Sequence, residues 1–405
     1  MTVITPLYSM FNQMGQLVQQ IATNPSAQSH FELLRLIEQF RLAVESPSET
    51  IQRLVYQPPQ NAALRAVVDL QIFPLLVKKQ YQNTGISAAQ LAEHTGAEQE
   101  LIVRLMRVME SLGLCKSPEF QVYKANEKTV AMTQPAGRDG VPCIYDLTIP
   151  TLGKLPEYLR AHDYVNPQDY DHSPMQWAVG QSQFEWLASH KDKQKLFNSY
   201  MASRRQGRPM WFDVYPVGRL MGDATPFADT VFLVDIGGNQ GHDLRQFRQK
   251  YKNLPGKVIL QDLPKVLNGV SGHDSDIEVM PYSFMEPQPV QGARAYYFRS
   301  IFHDWSDEIC HQILCNTMSA MVPGYSRILI VDFVLPDTET PLMQASLDIQ
   351  MMSIGAGVER SETQWRELLQ KAGLEITGIW SQGPGMESVI EAVPISQVKV
   401  AEMMG

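Results

Sequence analysis

The chain has 405 residues, of which 44% are hydrophobic and 19% are charged, and its formal net charge is −9. This length exceeds one typical core and predicts about two domains with a large buried interior, which excludes a disordered protein. The acidic balance argues against binding nucleic acid by phosphate neutralisation and against adsorption to an anionic membrane.

Cysteine usage and the N-terminus bear on the cellular compartment. Cys115, Cys143, Cys310 and Cys315 form neither a Cys-x-x-Cys pair nor a disulfide framework, so we interpret them as buried thiols in a reducing compartment. The N-terminus shows no basic region followed by an apolar core, and no apolar run approaches the roughly 18 residues that span a bilayer. We expect a cytoplasmic protein that does not act at a membrane.

Residues 1–58 are predicted to be helical. In the first helix, apolar residues recur at three- and four-residue steps, at Leu7, Met10, Phe11, Met14, Leu17 and Ile21. Ser48 is the expected start of a further helix over Ile51–Tyr56. An amphipathic helix without a core of its own often docks onto a partner chain, and this pattern therefore favours a homodimer.

Residues 60–135 have the pattern of a winged helix. Ser87 is the expected N-cap of one helix, a second helix covers Glu98–Leu112, and Gly113 ends it. Cys115–Thr133 alternates enough to form a hairpin wing. Such a module can read DNA through its second helix, but that helix carries Glu98, Glu100 and Glu110 beside Arg104 and Arg107, so a structural or dimerising role is favoured.

The pattern changes again towards the C-terminus. Residues 136–228 are mostly helical, and from residue 229 short apolar runs alternate with helices. The predicted strands are Val231–Val234, Lys257–Leu260, Ala295–Phe298, Arg327–Val331 and Val389–Ala392. This alternation predicts an α/β domain with a mostly parallel sheet covered on both faces and a ligand crevice beyond the carboxyl ends of the strands. The expected domains are therefore 1–135, 136–228 and 229–405.

A glycine-rich turn follows the first of these strands. Asp235 is followed by Gly237, Gly238 and Gly241 and then by a helix, so that the backbone can approach a ligand closely. The dinucleotide fingerprint fails, because Ile236 stands where its first glycine would be. Asp262 closes the next strand, where a carboxylate can accept both hydroxyls of a ribose. Both acids suit nicotinamide and S-adenosylmethionine folds, and the absence of a pyrophosphate loop favours the sulfonium cofactor.

His303 lies between a predicted strand and a predicted helix. Ser306 is a good N-cap for that helix, and Asp307 and Glu308 suit its dipole. The imidazole should therefore lie at the same edge of the sheet as the glycine turn, where it can accept a proton near neutral pH.

At this point the chain resembles the plant and fungal O-methyltransferases of the caffeate and flavonoid type, over residues 60–395. The resemblance rests on an ordered set of motifs, Val234–Gly241, Gln261–Pro264, Phe302–Glu308, Ile328–Pro336 and Gly357–Glu362. It implies a Rossmann-like S-adenosylmethionine-binding domain, an N-terminal helical dimerisation domain, and methyl transfer to a phenolic or enolic hydroxyl of a small natural product.

The resemblance also implies the roles of individual residues. His303 matches the general base, and Asp332 and Glu359 match the two acids that hold its imidazole; the family often has Glu at the first of these positions. The implied cofactor residues are Asp235, Gly237, Gly238, Gly241, Asp262, Leu263, Ser283, Phe284 and Arg299. Phe302, Trp305, Met351 and Met352 are the expected pocket walls, with plain core packing as the alternative for the two methionines. No metal is expected.

Two other functions remain open. Ser283 stands where the family usually has Asp, which weakens the expected hydrogen bond to the adenine amine and slightly favours a pericyclase that uses the bound sulfonium electrostatically. Members of that kind tend to replace the histidine by a permanent cation, whereas His303 is present with both acids. The other alternative is a non-catalytic regulator that binds a partner or DNA through the winged helix. The residues indicate an aromatic or polyketide-like substrate but do not identify it.

Overall fold

The computed structural model describes residues 4–204, 209–221, 230–254, 256–268, 276–383 and 385–395, and the expected boundary between residues 228 and 229 lies outside them. The chain divides into two compact units. The first comprises Met1–Asn12, Leu36–Arg160 and Ala178–Arg208, and the second comprises Gln13–Arg35, Ala161–Trp177 and Pro209–Gly405.

Helices dominate the first half of the chain. In chain order they are α1 (Ile4–Thr23), α2 (Ala27–Val44), α3 (Pro47–Val55), α4 (Gln57–Asp69), α5 (Ile72–Leu76), α6 (Ala88–Thr95), α7 (Gln99–Ser111), α8 (Glu127–Thr133), α9 (Pro135–Arg138), α10 (Gly140–Leu152), α11 (Leu155–Ala161), α12 (Pro174–Val179), α13 (Gln183–Ser189) and α14 (Lys191–Ser203). Three short strands, β1 (Ile86–Ser87), β2 (Lys116–Glu119) and β3 (Val122–Lys124), form a sheet of order β1-β3-β2.

Local capping explains where several of these helices begin. Ser87 starts α6 with a capping box, as predicted. The prediction that Ser48 begins a helix was wrong: Ser46 is the N-cap of α3, because Pro47 occupies the first helical position and Glu49 completes the capping box with Ser46. The hairpin expected over Cys115–Thr133 ends at Lys124, and α8 follows because Asn126 caps it.

The first unit has its own core. It is built from buried apolar side chains of α4, α5, α6, α7 and the small sheet, including Val67, Phe73, Leu91, Met106 and Tyr123. In contrast, large apolar side chains of the first three helices are exposed, among them Tyr8, Phe11, Val18, Leu42, Ile51 and Val55. These side chains lie at the surface of the single chain and are therefore not part of the core.

The second unit is organised around a sheet. Its strands are β4 (Val231–Ile236), β5 (Lys257–Asp262), β6 (Ile277–Pro281), β7 (Ala295–Arg299), β8 (Arg327–Asp332), β9 (Leu374–Ser381) and β10 (Ser388–Pro394), in the order β6-β5-β4-β7-β8-β10-β9. The first five pair in parallel, and β10 pairs antiparallel with both β8 and β9. All five predicted strands are confirmed, whereas β6 and β9 were not predicted.

Both faces of this sheet are covered by helices. The helices are α15 (Trp211–Val214), α16 (Gly218–Met221), α17 (His242–Lys250), α18 (Pro264–Leu267), α19 (Asp307–Met318), α20 (Leu342–Gly355) and α21 (Glu362–Lys371). Tyr296 and Phe298 of β7 belong to one core with α19 and α21, and Ala295 and Tyr297 belong to another with α15 and α17. Successive strand residues thus face opposite layers, which confirms the predicted α/β class.

The buried carboxylate of Glu391 connects the sheet to the region of α15 and α16. Glu391 of β10 is completely buried and accepts hydrogen bonds from Tyr215, from Arg219 (2.8 Å) and from Arg327 (2.8 Å). The pairing compensates the cost of removing its charge from water.

Among the described residues, no helix is both long enough and apolar enough to cross a membrane.

Candidate active site

The parallel strands bring the predicted residues to one edge of the sheet. Because β4, β5, β6, β7 and β8 run in the same direction, the segments that follow them leave from the same edge. These segments begin at Gly237, Leu263, Tyr282, Ser300 and Phe333. The predicted cofactor residues lie in or beside the first four of these segments, and the predicted base lies in the fourth, so all of them share this edge.

The turn after β4 depends on glycine. Gly237 has a φ of 73°, and a Cβ there would lie 2.6 Å from Ile301 Cδ1. A Cβ on Gly238 would lie 2.5 Å from the Asp235 carboxylate and from Leu260. The N–H groups of both glycines donate to the Gln261 carbonyl, at 2.8 and 3.2 Å. The turn is thus fixed to β5, and side chains at these positions would force it open.

Asp262 is held at the end of β5 by backbone groups. Its carboxylate accepts hydrogen bonds from Asn239 N–H (2.8 Å) and from Leu263 N–H (2.7 Å). Burial raises the pKa of Asp262, and these two hydrogen bonds oppose the rise. Each carboxylate oxygen accepts more than one hydrogen bond, so the side chain retains capacity for a ligand's hydroxyl groups.

Arg299 is buried at the end of β7. It donates to Asp243 Oδ2 (3.0 Å) in the first turn of α17 and to Glu387 Oε2 (2.6 Å) just before β10. Its Nε is buried and has no hydrogen-bond partner among the described residues. The guanidinium therefore connects the end of β7, the first turn of α17 and the residue before β10, and its Nε remains available as a donor.

The predicted base, His303, lies among carboxylates. Its Nδ1 is 2.7 Å from Glu359 Oε1, and its Nε2 is 3.6 Å from Asp304 Oδ1, which is too long for a hydrogen bond. In the neutral imidazole we assign the proton to Nδ1, which donates to Glu359, so that Nε2 is the nitrogen that can accept a proton. Asp332 Oδ2 and Glu359 Oε2 are buried without a hydrogen-bond partner among the described residues.

These charges determine the protonation of the site. Burial alone lowers the pKa of His303, but the carboxylates of Asp304, Glu359 and Asp332 outweigh it and raise the pKa to about 10. Burial raises the pKa of Asp332 to about 8, although the His303 imidazolium opposes this rise. The cluster therefore stabilises one positive charge on the imidazole.

The segment Gly357–Arg360 encloses the turn that carries His303. A Cβ on Gly357 would lie 2.2 Å from the His303 carbonyl oxygen, and that oxygen accepts a hydrogen bond from Val358 N–H (3.0 Å). Glu359 binds the imidazole, and its own N–H donates to Asp348 Oδ1 of α20 (2.8 Å). Backbone and side chain of His303 are thus held by consecutive residues.

Arg360 completes this enclosure. Its side chain is fully buried and donates to the carbonyls of Phe302 and Trp305, both at 2.9 Å, and to the Asp307 carboxylate at 2.8 Å. The residues before and after His303–Asp304 are therefore fixed by one planar cation. A guanidinium suits this task because it presents several donors in a rigid geometry.

The expected pocket walls separate into two groups. The structure contradicts the assignment of Phe302 to a wall: its ring is completely buried and packs on Phe298 and Trp365, because it points into the core between the sheet and α21. Met351 is also buried, whereas Trp305 and Met352 are partly exposed. Only the latter two retain surface that a ligand can contact.

Several residues at this site were not predicted from the sequence. Arg360 lay inside the predicted motif Gly357–Glu362, and Asp304 lay directly beside the predicted base. Asp243 and Glu387 gave no local signal for their pairing with Arg299. Tyr170 contacts Trp305, with the ring centroids 5.5 Å apart. The sequence around Tyr170 is rich in Tyr and Pro, but this composition does not predict the contact.

Comparison with known proteins decides the family. Residues 162–375 match the model of the O-methyltransferase domain, and residues 60–135 match that of the O-methyltransferase dimerisation domain. The chain belongs to the O-methyltransferase family. A methyltransferase of Aspergillus candidus, cfoC, is 31% identical over 97% of this chain and 99% of its own, and a demethylsterigmatocystin 6-O-methyltransferase of Aspergillus flavus is 34% identical over 84% and 86%.

Solved structures show the same fold. The LepI complex with S-adenosylmethionine superposes with a TM-score of 0.84 at 30% identity and covers 96% of this chain and 100% of its own. OxaC in complex with sinefungin and meleagrin gives 0.80 at 25% identity, with coverages of 96% and 98%. This O-methyltransferase has S-adenosylmethionine as its cofactor.

The residues at the sheet edge fit this cofactor. The glycines leave a cradle that a Cβ would fill, Asp262 retains acceptor capacity for a ribose, and Arg299 keeps an unpaired buried donor suited to a carboxylate. Among the described residues, no group of three or more His, Cys, Asp or Glu side chains could hold a metal ion.

Adding one methyl group at Gly357 tests whether the enclosure of His303 by Gly357–Arg360 matters for catalysis. We expect Gly357→Ala to lower kcat for methyl transfer at least tenfold, because its Cβ displaces the His303 carbonyl and the imidazole with it. The affinity for S-adenosylhomocysteine, measured by calorimetry, should remain unchanged. Gly218→Ala, at a position where a Cβ meets no atom within 4 Å, is the control. Equal kcat values for both variants would contradict the expectation.

Proposed function

We propose that this O-methyltransferase methylates a phenolic or enolic hydroxyl of a small aromatic or polyketide-like natural product, with His303 as the general base. The hydrogen bond from Nδ1 to Glu359 supports this role, because it fixes the tautomer and leaves Nε2 available at the sheet edge. We also propose that residues 60–135 form a winged helix and that the protein is cytoplasmic. The proposed domains are 1–135, 136–228 and 229–405.

The proposed proton transfer runs from the substrate to His303 Nε2. A phenol of ordinary pKa, near 10, is closely matched by an imidazole whose pKa is raised to about 10, so the proton moves between groups of similar basicity. Glu359 and Asp332 stabilise the resulting imidazolium, and Asp304 adds to their field. When bound, S-adenosylmethionine supplies an electrophilic methyl group.

Orientation accounts for most of the proposed catalysis. Holding two reactants in line contributes roughly 7–11 kcal/mol, and a positioned base adds about 10²–10⁴-fold. The rigid enclosure of His303 by Gly357–Arg360 provides the orientation of the base. We assign Asp235, Gly237, Gly238 and Gly241 to the methionine part of the cofactor.

The remaining assignments concern the nucleoside and the substrate. We assign Asp262 and Leu263 to the ribose, and Ser283 and Phe284 to the adenine. Arg299 is assigned to the cofactor's charged end, where its unpaired Nε can donate. Trp305 and Met352 are the proposed substrate walls, since both keep exposed surface.

Removing the imidazole tests the base directly. We expect His303→Ala to lower kcat by about 10²–10⁴-fold, as is usual for the loss of a general base, while calorimetry shows unchanged affinity for S-adenosylhomocysteine. His311→Ala is the control, because His311 lies on α19, is partly exposed, and contacts the Lys371 carbonyl rather than the carboxylate cluster. If His303→Ala methylates at the wild-type rate, His303 is not the general base. The assignments of the cofactor residues would be unaffected.

The carboxylate cluster predicts a pH dependence. Because the neighbouring acids raise the pKa of His303, the fraction of neutral imidazole increases with pH well above 7, and kcat/KM should increase with it. Asp332→Asn removes one of these charges, lowers the pKa of His303 and should shift the rising limb of the pH–rate profile to lower pH. Glu308→Gln, an exposed change on α19, should leave the profile in place. A shift of the Asp332→Asn profile to higher pH would exclude this explanation.

One observation favours a second function. Three acids hold His303 in its charged form, and a charged group at this position suits electrostatic catalysis by a pericyclase on the same scaffold. One solved structure with a TM-score of 0.83 at 30% identity is described as a pericyclic reaction enzyme. Incubation with methyl-labelled S-adenosylmethionine separates the two: label appears in the product of a methyltransferase, whereas a pericyclase isomerises its substrate and leaves the cofactor unchanged.

We also propose that the chain acts as a homodimer. The match to the dimerisation domain supports this, and so do the large apolar side chains that α1, α2 and α3 leave exposed. An exposed apolar surface of this kind is ordinarily covered by another chain.

The dimer is testable on α1. We expect sedimentation velocity to show a dimer for the wild type and a shift towards monomer for Tyr8→Glu combined with Phe11→Glu, because both rings are more than 60% exposed in the single chain. Gln13→Glu combined with Gln16→Glu adds the same charge to exposed positions of the same helix and should leave the dimer intact. A wild-type monomer at all concentrations would contradict the proposal.

A further inference from the structure

Two glutamine side chains form a buried pair in the second unit. Gln261, near the end of β5, is 0% exposed, and Gln288, between β6 and β7, is 1% exposed. Each amide donates to the other: Gln261 Nε2 lies 2.9 Å from Gln288 Oε1, and Gln288 Nε2 lies 3.0 Å from Gln261 Oε1. Val290 N–H donates to the same Gln288 oxygen (3.1 Å), which fixes the orientation of that amide. We call Gln261 and Gln288 the amide pair.

The backbone of Gln261 holds the glycine turn. Its carbonyl accepts hydrogen bonds from the N–H groups of Gly237 (2.8 Å) and Gly238 (3.2 Å). Because the side chain and the carbonyl of Gln261 belong to one residue, a displacement of its buried amide also displaces that carbonyl. The position of the glycine turn therefore depends on the partner of the Gln261 side chain.

Gln288 ends the loop that follows β6, residues 282–288. This loop carries Ser283 and Phe284, which we assign to the adenine. Asn316 of α19 binds the loop at two points, since its carbonyl accepts from Gln288 N–H (3.3 Å) and its side-chain amide donates to the Phe284 carbonyl (3.1 Å). The backbone at Gln288 and at Phe284 is thus held by one residue, and the amide pair connects this loop to β5.

Packing alone does not require amides at this place. Gln261 faces the same layer as Ile259, two residues earlier on the strand, and Ile259 belongs to an apolar core. Replacing both members of a buried hydrogen-bonded pair by apolar groups of the same shape can be nearly neutral for stability. Hydrogen bonds, however, have defined lengths and directions, which apolar contacts lack. The amide pair therefore fixes the separation of two backbone segments in addition to filling the core.

We propose that Gln261 and Gln288 are positioning residues, which set the separation between the glycine turn and the loop after β6. These segments are the ones assigned above to the methionine part and to the adenine of S-adenosylmethionine, so the inference rests on the proposed cofactor assignments. A cofactor that spans both segments binds tightly only when their separation matches its length. The amide pair acts on affinity through the two segments that it connects.

Binding without turnover tests this proposal. Gln288→Leu leaves the Gln261 amide buried without its partner, and we expect the dissociation constant of S-adenosylhomocysteine, measured by calorimetry, to increase about three- to tenfold. Leu369→Ala is the stability control, because it removes a buried side chain of α21 from the same apolar core. It should lower the melting temperature but leave the dissociation constant unchanged at a temperature where all variants are folded.

Gln288→Glu makes the pair dependent on pH. A protonated carboxyl group has the shape of the amide, so its O–H donates to Gln261 Oε1 and its carbonyl accepts from Gln261 Nε2, whereas the ionised carboxylate has no donor. Burial raises the pKa of such a carboxyl above its ordinary value of about 4.3. We expect affinity close to that of the wild type at about pH 5 and weaker binding towards about pH 9. The ratio of the two dissociation constants isolates this change, because variant and wild type share every other titratable group.

A double variant separates positioning from stability. Gln261→Leu combined with Gln288→Leu leaves neither amide unpaired, so it should melt at a higher temperature than Gln288→Leu alone. Its affinity for S-adenosylhomocysteine should nevertheless stay reduced, because apolar side chains do not fix the separation of the two segments.

The outcomes that overturn the proposal are distinct. If Gln288→Leu binds S-adenosylhomocysteine as the wild type does, the amide pair has no influence on the cofactor. If Leu369→Ala weakens binding equally, or if the double variant regains wild-type affinity, the pair acts through stability alone. If the ratio for Gln288→Glu does not change with pH, the donor of the pair is not needed.

The cofactor assignments are checked separately by Gly237→Ala, whose Cβ would lie 2.6 Å from Ile301 Cδ1. Unchanged affinity for S-adenosylhomocysteine in this variant would remove the glycine turn from the cofactor site, and the inference with it. Reduced affinity there, together with wild-type affinity in Gln288→Leu, would overturn the inference alone. Because no methyl transfer is measured, a failure of His303 as the base leaves these results unaffected.

Discussion

The site depends on holding one imidazole in a fixed orientation among buried carboxylates. His303 lies close to three acids, and each of them separately favours the charged ring. A buried cation without such partners would be unstable, and buried carboxylates without a cation would be equally costly. The cluster is stable because the charges compensate each other, and the raised basicity of His303 follows from that compensation.

The enclosure by Gly357–Arg360 gives this electrostatic arrangement its geometry. Four consecutive residues contact the turn at His303 in four different ways: a close backbone approach, a backbone hydrogen bond, a carboxylate on Nδ1 and a guanidinium on the flanking carbonyls. At the end of β7, Arg299 plays a comparable role between Asp243 and Glu387. Both halves of the site are therefore supported by hydrogen-bonded groups outside the reacting atoms.

The same scaffold is compatible with methyl transfer and with electrostatic catalysis, because both need a charged or basic group fixed beside a bound sulfonium. The family relationship favours methyl transfer, and the fate of the proton on His303 distinguishes the two. Recognition of the substrate is a separate matter. The part of the sheet edge at Trp305 also includes a contact from far earlier in the chain, because the ring of Tyr170 packs against Trp305.

The sequence by itself determined the α/β class, five of the strands, the glycine turn and the place of His303 at the sheet edge, because apolar periodicity, capping residues and glycine spacing are local properties. It missed β6 and β9. Only the tertiary structure decided that Phe302 enters the core, that Arg360 binds the turn of His303 from 58 residues away, and that Tyr170 reaches Trp305. Contacts over such separations depend on how elements pack, and no local pattern encodes that packing.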